Sequence, residues 1–387
     1  METHVIDLAG EYVRRGMTVR AVVPASESMD VLVPRFEANG IEVVRRSSDA
    51  RHGRLRQLAG VPTFVREIRA FRPDVLHLQT GGATGGLGVV AMARLAGVPV
   101  VAVTEHDVPG ERPSLHQRLA RRAMDRLLHA LIAVSRRNAR LRAERIGMPR
   151  AKSVAILNGV PIIDASPQQR ASDRAAVRDE YGLGEDELVV GSVVRLAPGK
   201  GLDDLLRAFA IVVKGVPATR LLLVGDGPLR EELRALAGEL GIGGRVVFAG
   251  EQKQPRRFLH AMDAFVLAVP AGSMSIALLE AMAAGVPPVI TFCGPEEAVI
   301  DGETGLCAPA GDPAGLARVL HALVADSALR ARLAEAAAAH ARRHFSVTRV
   351  ADDTLAAYTA ARARGPMPEA LDAAGPPDPR PGDRARG

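Results

Sequence analysis

Two sets of alternating strand and helix patterns constrain the fold of this chain more than any other feature of its sequence. The first set runs over 2–158 and the second over 188–325, and a polar stretch over 165–186 separates them. Short apolar runs that alternate with helical patterns are typical of β-α-β units, which form parallel sheets. The pattern therefore predicts an α/β protein with two domains, each built on a parallel sheet.

The composition is that of an ordinary globular protein. The chain has 387 residues, of which 47% are hydrophobic, so two domains can each bury a large core. No apolar run reaches the roughly 18 uncharged residues of a membrane span. The two cysteines, Cys293 and Cys307, form no metal or redox motif, and we therefore expect a reducing cytoplasmic setting. The Pro- and Gly-rich tail over 363–387 is predicted to be disordered.

Two cations lie where an α/β sheet usually binds its ligand. Arg195 is at the end of a predicted strand over 187–195, and Lys200 is in the turn before a predicted helix that begins near Leu202. Ligands bind at the carboxyl ends of parallel strands, and the free amides of a helix N-terminus favour anions. These positions favour phosphate binding by Arg195 and Lys200. The alternative is that both are solvated loop charges.

A second signal is one carboxylate on a nearly all-apolar helix. The predicted helix over 275–285 carries Glu280 as its only charged residue. A buried carboxylate without a partner is strongly destabilising, so Glu280 needs a hydrogen-bond donor. Ile276 and Glu280 share one helix face, with the free amides of the first turn beside them. This spacing fits a nucleoside diphosphate, with its phosphates at the amides and its ribose hydroxyls at Glu280.

With these residues in place, 187–310 resembles the donor domain of glycosyltransferase family 4, a family of retaining nucleotide-sugar enzymes. Five pieces carry the resemblance: Arg195 with Lys200, the turn 224–228 (Val-Gly-Asp-Gly-Pro), the strand 246–250, the helix containing Glu280, and 297–305 (Glu-Ala-Val-Ile-Asp-Gly-Glu-Thr-Gly). The first half is similar to the family over 74–78, 98–106, 131–135 and 154–160.

The resemblance implies the GT-B fold, in which two Rossmann-like domains with parallel sheets face a cleft. The implied bounds are 1–164 for the acceptor-side domain, 165–186 for a linker, 187–344 for the nucleotide-sugar domain and 345–362 for a helix that crosses back. It also implies transfer of a sugar, with retention of configuration, from a nucleoside diphosphate to a hydroxyl group of a lipid-linked or saccharide acceptor. The implied setting is glycolipid or cell-surface polysaccharide biosynthesis, with no metal and no cofactor besides the donor.

The family also implies roles for individual residues. Arg195 and Lys200 would stabilise the diphosphate leaving group, Glu280 would hold the ribose, and His106 would orient the sugar. The alternative for His106 is a hydrogen-bonded structural histidine. The expected donor-binding residues are Arg195, Lys200, Gly272, Ser275, Ile276, Ala277 and Glu280.

At Gly272 the chain departs from the family motif, which has two glutamates separated by seven residues. Gly272 stands where the first glutamate, which contacts the donor sugar, is expected. Nucleotide binding carries over from the family, but sugar recognition does not follow directly. A catalytically impaired nucleotide-sugar-binding pseudoenzyme or assembly subunit is therefore the alternative function.

The start of the chain also differs from the family pattern. A predicted helix over 3–16 precedes the strand over 17–23, without the family's first strand and glycine-rich loop before it. We therefore expect Met1 to be an internal methionine, with that strand and loop encoded upstream.

The glycine spacing Gly82-x-x-x-Gly86-x-Gly88 is also found in short-chain dehydrogenases, a different class of enzyme. Those enzymes need a Tyr-x-x-x-Lys motif, but the three tyrosines of this chain are followed four residues later by glycine, glutamate and arginine. The glycines instead favour a close approach by the N-terminus of a helix.

Basic residues are concentrated over 112–152. This segment has twelve arginines and lysines against Asp125 and Glu144, whereas the net charge of the whole chain is +6. We predict that Arg118, Arg121, Arg122 and Arg126 share a helix face that meets an anionic membrane; the alternative is a solvated face in an arginine-rich protein. Aromatic residues make up 3% and no nucleic-acid motif is present, so nucleic acid is not expected as a partner. The expected location is cytoplasmic, peripheral at the inner face of the cell membrane.

Overall fold

The computed structural model describes residues 2–46, 61–81, 86–106, 114–147, 149–163, 165–269, 275–291, 298–365 and 367. Contacts within the chain define two compact units, one of Met1–Leu157 with Val350–Gly387 and one of Asn158–Arg349. Gly82, Cys293, Glu297 and the predicted tail beyond 367 lie outside the described residues, as does Gly272.

The first unit contains a four-stranded parallel sheet in the order β3-β4-β5-β6 and a two-stranded parallel pair, β1-β2. The elements up to its last strand are α1 (Glu2–Arg14), β1 (Arg20–Pro24), α2 (Glu27–Asp30), α3 (Val33–Ala38), β2 (Glu42–Arg46), α4 (Val61–Phe71), β3 (Val75–Thr80), α5 (Leu87–Ala96), β4 (Val100–Glu105), α6 (Leu115–Leu127), β5 (Ala130–Ala133), α7 (Arg136–Arg145), a 3₁₀ turn (Arg150–Lys152) and β6 (Ser153–Ala155).

The second unit contains a six-stranded parallel sheet in the order β12-β11-β10-β7-β8-β9. The remaining elements of the chain are α8 (Pro167–Glu180), β7 (Leu188–Val193), α9 (Leu202–Gly215), β8 (Thr219–Val224), α10 (Arg230–Glu239), a 3₁₀ turn (Gly243–Arg245), β9 (Val246–Gly250), α11 (Arg256–Leu259), β10 (Ala264–Leu267), α12 (Ile276–Ala283), β11 (Pro288–Thr291), β12 (Leu306–Ala308), α13 (Pro313–Ala325), α14 (Ser327–His344) and α15 (Val347–Ala363). These parallel sheets confirm the predicted α/β class.

The four-stranded and the six-stranded sheets are covered by helices, as parallel sheets require. In the first unit, Val101 and Val103 of β4 pack with Val90 of α5 and Met124 of α6. The other face of this sheet contacts Tyr358 of α15. The residues of α15 from Val350 onward accordingly belong to the first unit. In the second unit, the apolar sides of α9 and α13 pack on the sheet in one buried cluster.

The segment expected to be a linker, 165–186, is instead largely helical and belongs to the second unit. Arg174 Nη2 of α8 lies 2.9 Å from Asp263 Oδ1, and Arg178 Nη2 lies 2.9 Å from Asp263 Oδ2. The same Oδ2 accepts a 2.8 Å hydrogen bond from Val189 N at the start of β7. The polar residues that suggest a linker therefore fix this helix to the sheet.

The prediction that Arg121 lies on an exposed arginine face of α6 is wrong. Only 2% of the Arg121 side chain is exposed, and its Nη2 lies 2.8 Å from Glu105 Oε1. Arg142 of α7, 1% exposed, contacts the same carboxylate through Nε at 3.0 Å and Asp125 Oδ1 through Nη2 at 2.6 Å. Part of the basic excess therefore neutralises buried carboxylates and is not available at the surface.

In the described part of the chain, no helix combines the length and apolar character needed to cross a membrane.

Candidate active site

A cavity of 560 Å³ lies at the carboxyl ends of β7 and β8, beside the segment that follows β9. Arg195, just after β7, and Asp226, just after β8, contribute to its wall. The segment after β9 contributes Glu251, Gln252 and Pro255. This is the edge at which α/β sheets bind ligands. The sequence placed Arg195 at this edge, and the structure places it on the cavity wall.

Two glycines allow the loops at this edge to pack tightly. Gly225 has a φ of 132°, and a Cβ there would lie 2.1 Å from the carbonyl oxygen of Val194. Gly201 has a φ of 64°, and its Cβ would lie 2.0 Å from the carbonyl oxygen of Ala268. Any other residue would push the loops apart. The loop after β7 is therefore held against the ends of both of its neighbours, β8 and β10.

Backbone hydrogen bonds on either side of Arg195 fix its position. Val194 N donates to the carbonyl oxygen of Val224 at 2.9 Å, and Leu196 N donates to that of Asp226 at 3.0 Å. The Arg195 side chain is exposed, and that of Lys200 is half-buried. Among the described residues, neither side chain has an ion-pair or hydrogen-bond partner. Both positive charges are thus available to an anionic ligand.

Ser275 caps the N-terminus of α12. Its Oγ accepts a 3.4 Å hydrogen bond from Leu278 N. The amides of Ile276 and Ala277, in the first turn, have no acceptor within the helix. β10, the strand that precedes this helix, pairs with β7, the strand that precedes the loop with Arg195 and Lys200. A shared phosphate site formed by these cations and the first turn of α12 stays a prediction.

Glu280, one turn deeper in α12, is bound by a guanidinium group. Its Oε1 accepts a 2.7 Å hydrogen bond from Arg256 Nε, and 10% of the Glu280 side chain is exposed against 32% of Arg256. Sequence reasoning predicted that Glu280 needs a donor but missed Arg256. Arg256 begins α11 and directly follows Pro255, so the pair lies next to the cavity wall. The only signal for it was two consecutive arginines shortly after the strand 246–250.

His106 lies in the first unit, at the end of β4, and is held from several sides. The backbone N of His106 donates to the carbonyl oxygen of Thr80 at 2.9 Å, and the carbonyl oxygen of His106 accepts a hydrogen bond from Asn138 Nδ2 at 3.3 Å. Its Nε2 is 2.8 Å from Gln79 Oε1. Burial, and secondarily the charge of His4, lower the pKa of His106 to about 3. The ring is therefore neutral near pH 7.

The contact with Gln79 determines which nitrogen of His106 carries the proton. A carbonyl oxygen only accepts hydrogen bonds, so Nε2 donates and Nδ1 keeps its lone pair. Gln79 contacts the ring of His77 in turn, with its Nε2 3.4 Å from His77 Nδ1 and 3.3 Å from His77 Nε2. His77 also contacts Thr104 Oγ1 through Nε2 at 2.7 Å. A network of buried polar groups thus supports His106; its predicted contact with a sugar stays a prediction.

Potential metal ligands are not grouped in the described ranges: no three His, Cys, Asp or Glu side chains there are placed to hold a metal ion. The predicted independence from metal is a separate matter and stays a prediction.

Comparisons with known proteins agree with the resemblance. The model for Glycosyltransferase Family 4 matches residues 1–162, and the model for glycosyl transferases group 1 matches residues 173–340. The chain is 31% identical over 366 residues to phosphatidyl-myo-inositol mannosyltransferase of Mycobacterium leprae (strain TN), with 92% of each protein covered. It is 42% identical over 151 residues to the lipopolysaccharide core biosynthesis glycosyltransferase LpsE of Rhizobium meliloti (strain 1021), covering 39% of this chain and 43% of that one.

Among solved structures, the chain is similar to Anabaena Alr3699/HepE in complex with UDP and glucose. The TM-score is 0.77 at 25% sequence identity, and the match covers 92% of this chain and 94% of that one.

Proposed function

This chain belongs to glycosyltransferase family 4 and has the GT-B fold, and from this premise we propose that it transfers a sugar from a nucleoside diphosphate to a hydroxyl acceptor with retention of configuration. One observation carries the proposal. Arg195 and Lys200, without a carboxylate partner in the described part of the chain, follow β7, and Arg195 lines the cavity at the carboxyl ends of β7 and β8.

Donor binding follows from the charges at this edge. The diphosphate binds between the two cations and the amides of Ile276 and Ala277, where the positive end of the helix dipole adds to the attraction. Glu280 accepts hydrogen bonds from the ribose hydroxyls, and Arg256 holds its carboxylate in position. The base lies in the cavity near Gln252.

The transfer step uses the same cations. The bond between the anomeric carbon and the β-phosphate oxygen breaks, and the diphosphate leaves with the electron pair. The acceptor oxygen bonds to the anomeric carbon on the same face, and its proton passes to the departing phosphate oxygen. Arg195 and Lys200 stabilise the negative charge that develops there. His106, neutral and with a free Nδ1, accepts a hydrogen bond from a hydroxyl group of the sugar and orients it.

Sugar recognition takes a different form here from the family motif, because Gly272 supplies no carboxylate. The Ser275 hydroxyl accepts from Leu278 N, which leaves its own proton free to donate to a sugar oxygen. With fewer specific contacts, the enzyme tolerates several donor sugars on its preferred nucleotide.

The acceptor is a lipid-linked sugar or a saccharide in glycolipid or cell-surface polysaccharide biosynthesis. Proteins similar to this chain are named for lipopolysaccharide core biosynthesis and for mannosylation of phosphatidyl-myo-inositol, which supports this class. In this proposal the enzyme is cytoplasmic, peripheral at the inner face of the membrane, and needs no metal or cofactor besides its donor. The alternative, favoured by Gly272, is a nucleotide-sugar-binding subunit without turnover.

A binding screen of nucleoside diphosphates by calorimetry, followed by a screen of sugar nucleotides on the bound base, tests the proposal. We expect the protein to bind one nucleoside diphosphate. When the matching sugar nucleotide and an acceptor are supplied together, we expect that diphosphate to be released from the donor as a product. The absence of binding to every nucleoside diphosphate would contradict the donor site. Binding without release from any donor and acceptor pair would favour the non-catalytic subunit.

A further inference from the structure

A continuous set of polar contacts connects α15 to His106 inside the first unit. The hydroxyl oxygen of Tyr358, on α15, lies 2.5 Å from His77 Nδ1 on β3, although the two residues are 281 positions apart in the chain. The other ring nitrogen, His77 Nε2, lies 2.7 Å from Thr104 Oγ1 on β4. Tyr358 and Thr104 are both buried. Their hydroxyl groups therefore hold the ring of His77 at both of its nitrogens.

The ring of His77, held in this way, is a platform for Gln79. Gln79 Nε2 lies 3.4 Å from His77 Nδ1 and 3.3 Å from His77 Nε2. A position in the ring plane at these two distances would overlap the ring carbons, so the amide lies over the face of the ring. An aromatic face is electron-rich and attracts an N–H group, whereas it repels a carbonyl oxygen. The ring therefore orients Gln79 with its Nε2 toward His77 and its Oε1 toward His106.

The orientation of the Gln79 amide determines the protonation of His106. Gln79 Oε1 lies 2.8 Å from His106 Nε2, and a carbonyl oxygen requires a proton on that nitrogen. If the amide turned over, its NH₂ group would face Nε2, and the ring proton of His106 would move to Nδ1. Among the described residues, no hydrogen bond to His106 Nδ1 sets the proton from the other side. The tautomer of His106 is therefore set at Nε2.

We propose that Tyr358 and His77 are positioning residues that act through Gln79 to keep the Nδ1 lone pair of His106 available to a sugar hydroxyl. Without the Tyr358 hydroxyl, one nitrogen of His77 loses its partner. An unpaired polar group shielded from water is costly. The Gln79 amide, already in contact with the ring, would therefore turn toward that nitrogen and away from His106. The inference deepens the proposed function, on which it rests for the role of His106.

Nuclear magnetic resonance of protein labelled with ¹⁵N-histidine tests the tautomer directly, because protonated and unprotonated ring nitrogens differ in chemical shift. We expect His106 of the wild-type protein at pH 7 to carry its proton on Nε2. Loss of the corresponding signals in His106→Gln assigns them. In Tyr358→Phe, which removes only the hydroxyl group and keeps the ring, a fraction of His106 with its proton on Nδ1 should appear.

Kinetics with the donor and acceptor found in the screen provide the second measurement. Tyr358→Phe should lower kcat about fivefold, the scale of one net hydrogen bond, and leave the affinity for the nucleoside diphosphate unchanged. Gln79→Leu should lower kcat further, because it removes the acceptor at His106 Nε2. The control, Ser153→Ala, removes a half-buried hydroxyl of the same unit that donates to the carbonyl oxygen of Pro149 at 2.9 Å, and it should retain the wild-type kcat. Thermal unfolding checks that every variant is folded.

Two results in folded Tyr358→Phe would overturn the proposal: a His106 that stays entirely protonated at Nε2, or a kcat no lower than that of Ser153→Ala. Protonation of His106 at Nδ1 in the wild-type protein would do the same. Failure of the proposed function gives a different result, because the wild-type protein would then release no nucleoside diphosphate from any donor. The resonance measurement would still show in that case whether Tyr358 sets the tautomer of His106.

Discussion

At the scale of single residues, the cations of the second unit fall into two kinds. Arg256 is paired with Glu280 at 2.7 Å, and Arg178 is paired with Asp263 at 2.9 Å. Arg195 and Lys200 have no such partner in the ranges that the structure describes. A cation held in place without a protein carboxylate contributes little to folding and is free to stabilise a ligand's charge. The two kinds should therefore respond differently to substitution.

Arg195→Ala and Lys200→Ala should each lower turnover by about 100- to 1000-fold, the scale of losing one preorganised electrostatic stabiliser. The melting temperature should hardly change, because no protein partner is lost. Initial rates and thermal unfolding measure both effects. Arg207→Ala, an exposed arginine on α9, is the control. A turnover equal to wild type in both variants would place the diphosphate elsewhere.

Glu280 and Arg256 should act as a pair in nucleotide binding. Glu280→Gln removes the charged acceptor of the ribose hydroxyls and should weaken diphosphate affinity about tenfold or more. Arg256→Gln should weaken it less, and its effect should shrink when Glu280 is already Gln, because the two contacts are coupled. A double-mutant cycle by calorimetry measures this. Wild-type affinity for every nucleoside diphosphate in Glu280→Gln would remove this residue from the site.

Two histidines, the buried His106 and the half-buried His77, make the stability of the first unit depend on pH. Burial is the main cause that lowers the pKa of both His77 and His106 to about 3, from an ordinary value of 6.5. Below pH 6.5 the unfolded chain takes up protons that the folded chain does not. Stability is therefore complete above this pH and is lost as pH falls toward 3.

Between pH 7 and pH 5, the loss should be on the order of 2 kcal/mol for each of the two histidines. Urea unfolding at both pH values measures it. His106→Gln should make the dependence shallower, whereas His116→Gln, an exposed position on α6, should leave it unchanged. A flat profile in the wild-type protein would show that neither ring is held neutral by the fold.

At the scale of elements, contiguous patterns were predictable and pairings between distant elements were not. β7, the turn with Lys200, and α12 were visible because an apolar run, a Pro-Gly turn and a single carboxylate lie within a few neighbouring residues. Arg121 was misassigned because its partner, Glu105, is on another element, and the spacing on a helix shows only which residues are neighbours. Arg256 was missed for the same reason, since its carboxylate lies 24 residues away along the chain.

The segment over 165–186 shows the same limit for a whole helix. Its polar residues suggest a linker, and the sequence does not show that Asp263 lies beside Arg174 and Arg178. Asp263→Asn should weaken the contacts of that carboxyl with both arginines of α8. We expect the second unit to lose about 2–3 kcal/mol of stability, the scale of hydrogen bonds to charged groups. Denaturant unfolding measures the change, with the exposed Asp186→Asn as control. A loss equal to that of the control would mean that α8 is not fixed through Asp263.

At the scale of the whole molecule, each of the two contact-defined units has its own core and its own chemistry. His77 and His106 belong to the first unit, whereas Arg195, Lys200, Glu280 and Asp263 belong to the second. Proteins with several such units often unfold in more than one transition. Perturbations confined to one unit should then identify which transition belongs to it.

Calorimetric unfolding should therefore show two transitions that respond to different changes. Lowering the pH to 5 should lower the melting temperature of the first unit's transition, and Asp263→Asn should lower that of the second unit's transition. UDP or GDP, whichever binds, should raise only the melting temperature of the second unit's transition. A ligand at 100 times its Kd adds about 2.7 kcal/mol to the free energy of unfolding of the unit that binds it. Arg195→Ala combined with Lys200→Ala should abolish that shift. A ligand shift confined to the pH-sensitive transition would place the nucleotide in the first unit, contrary to the site on α12.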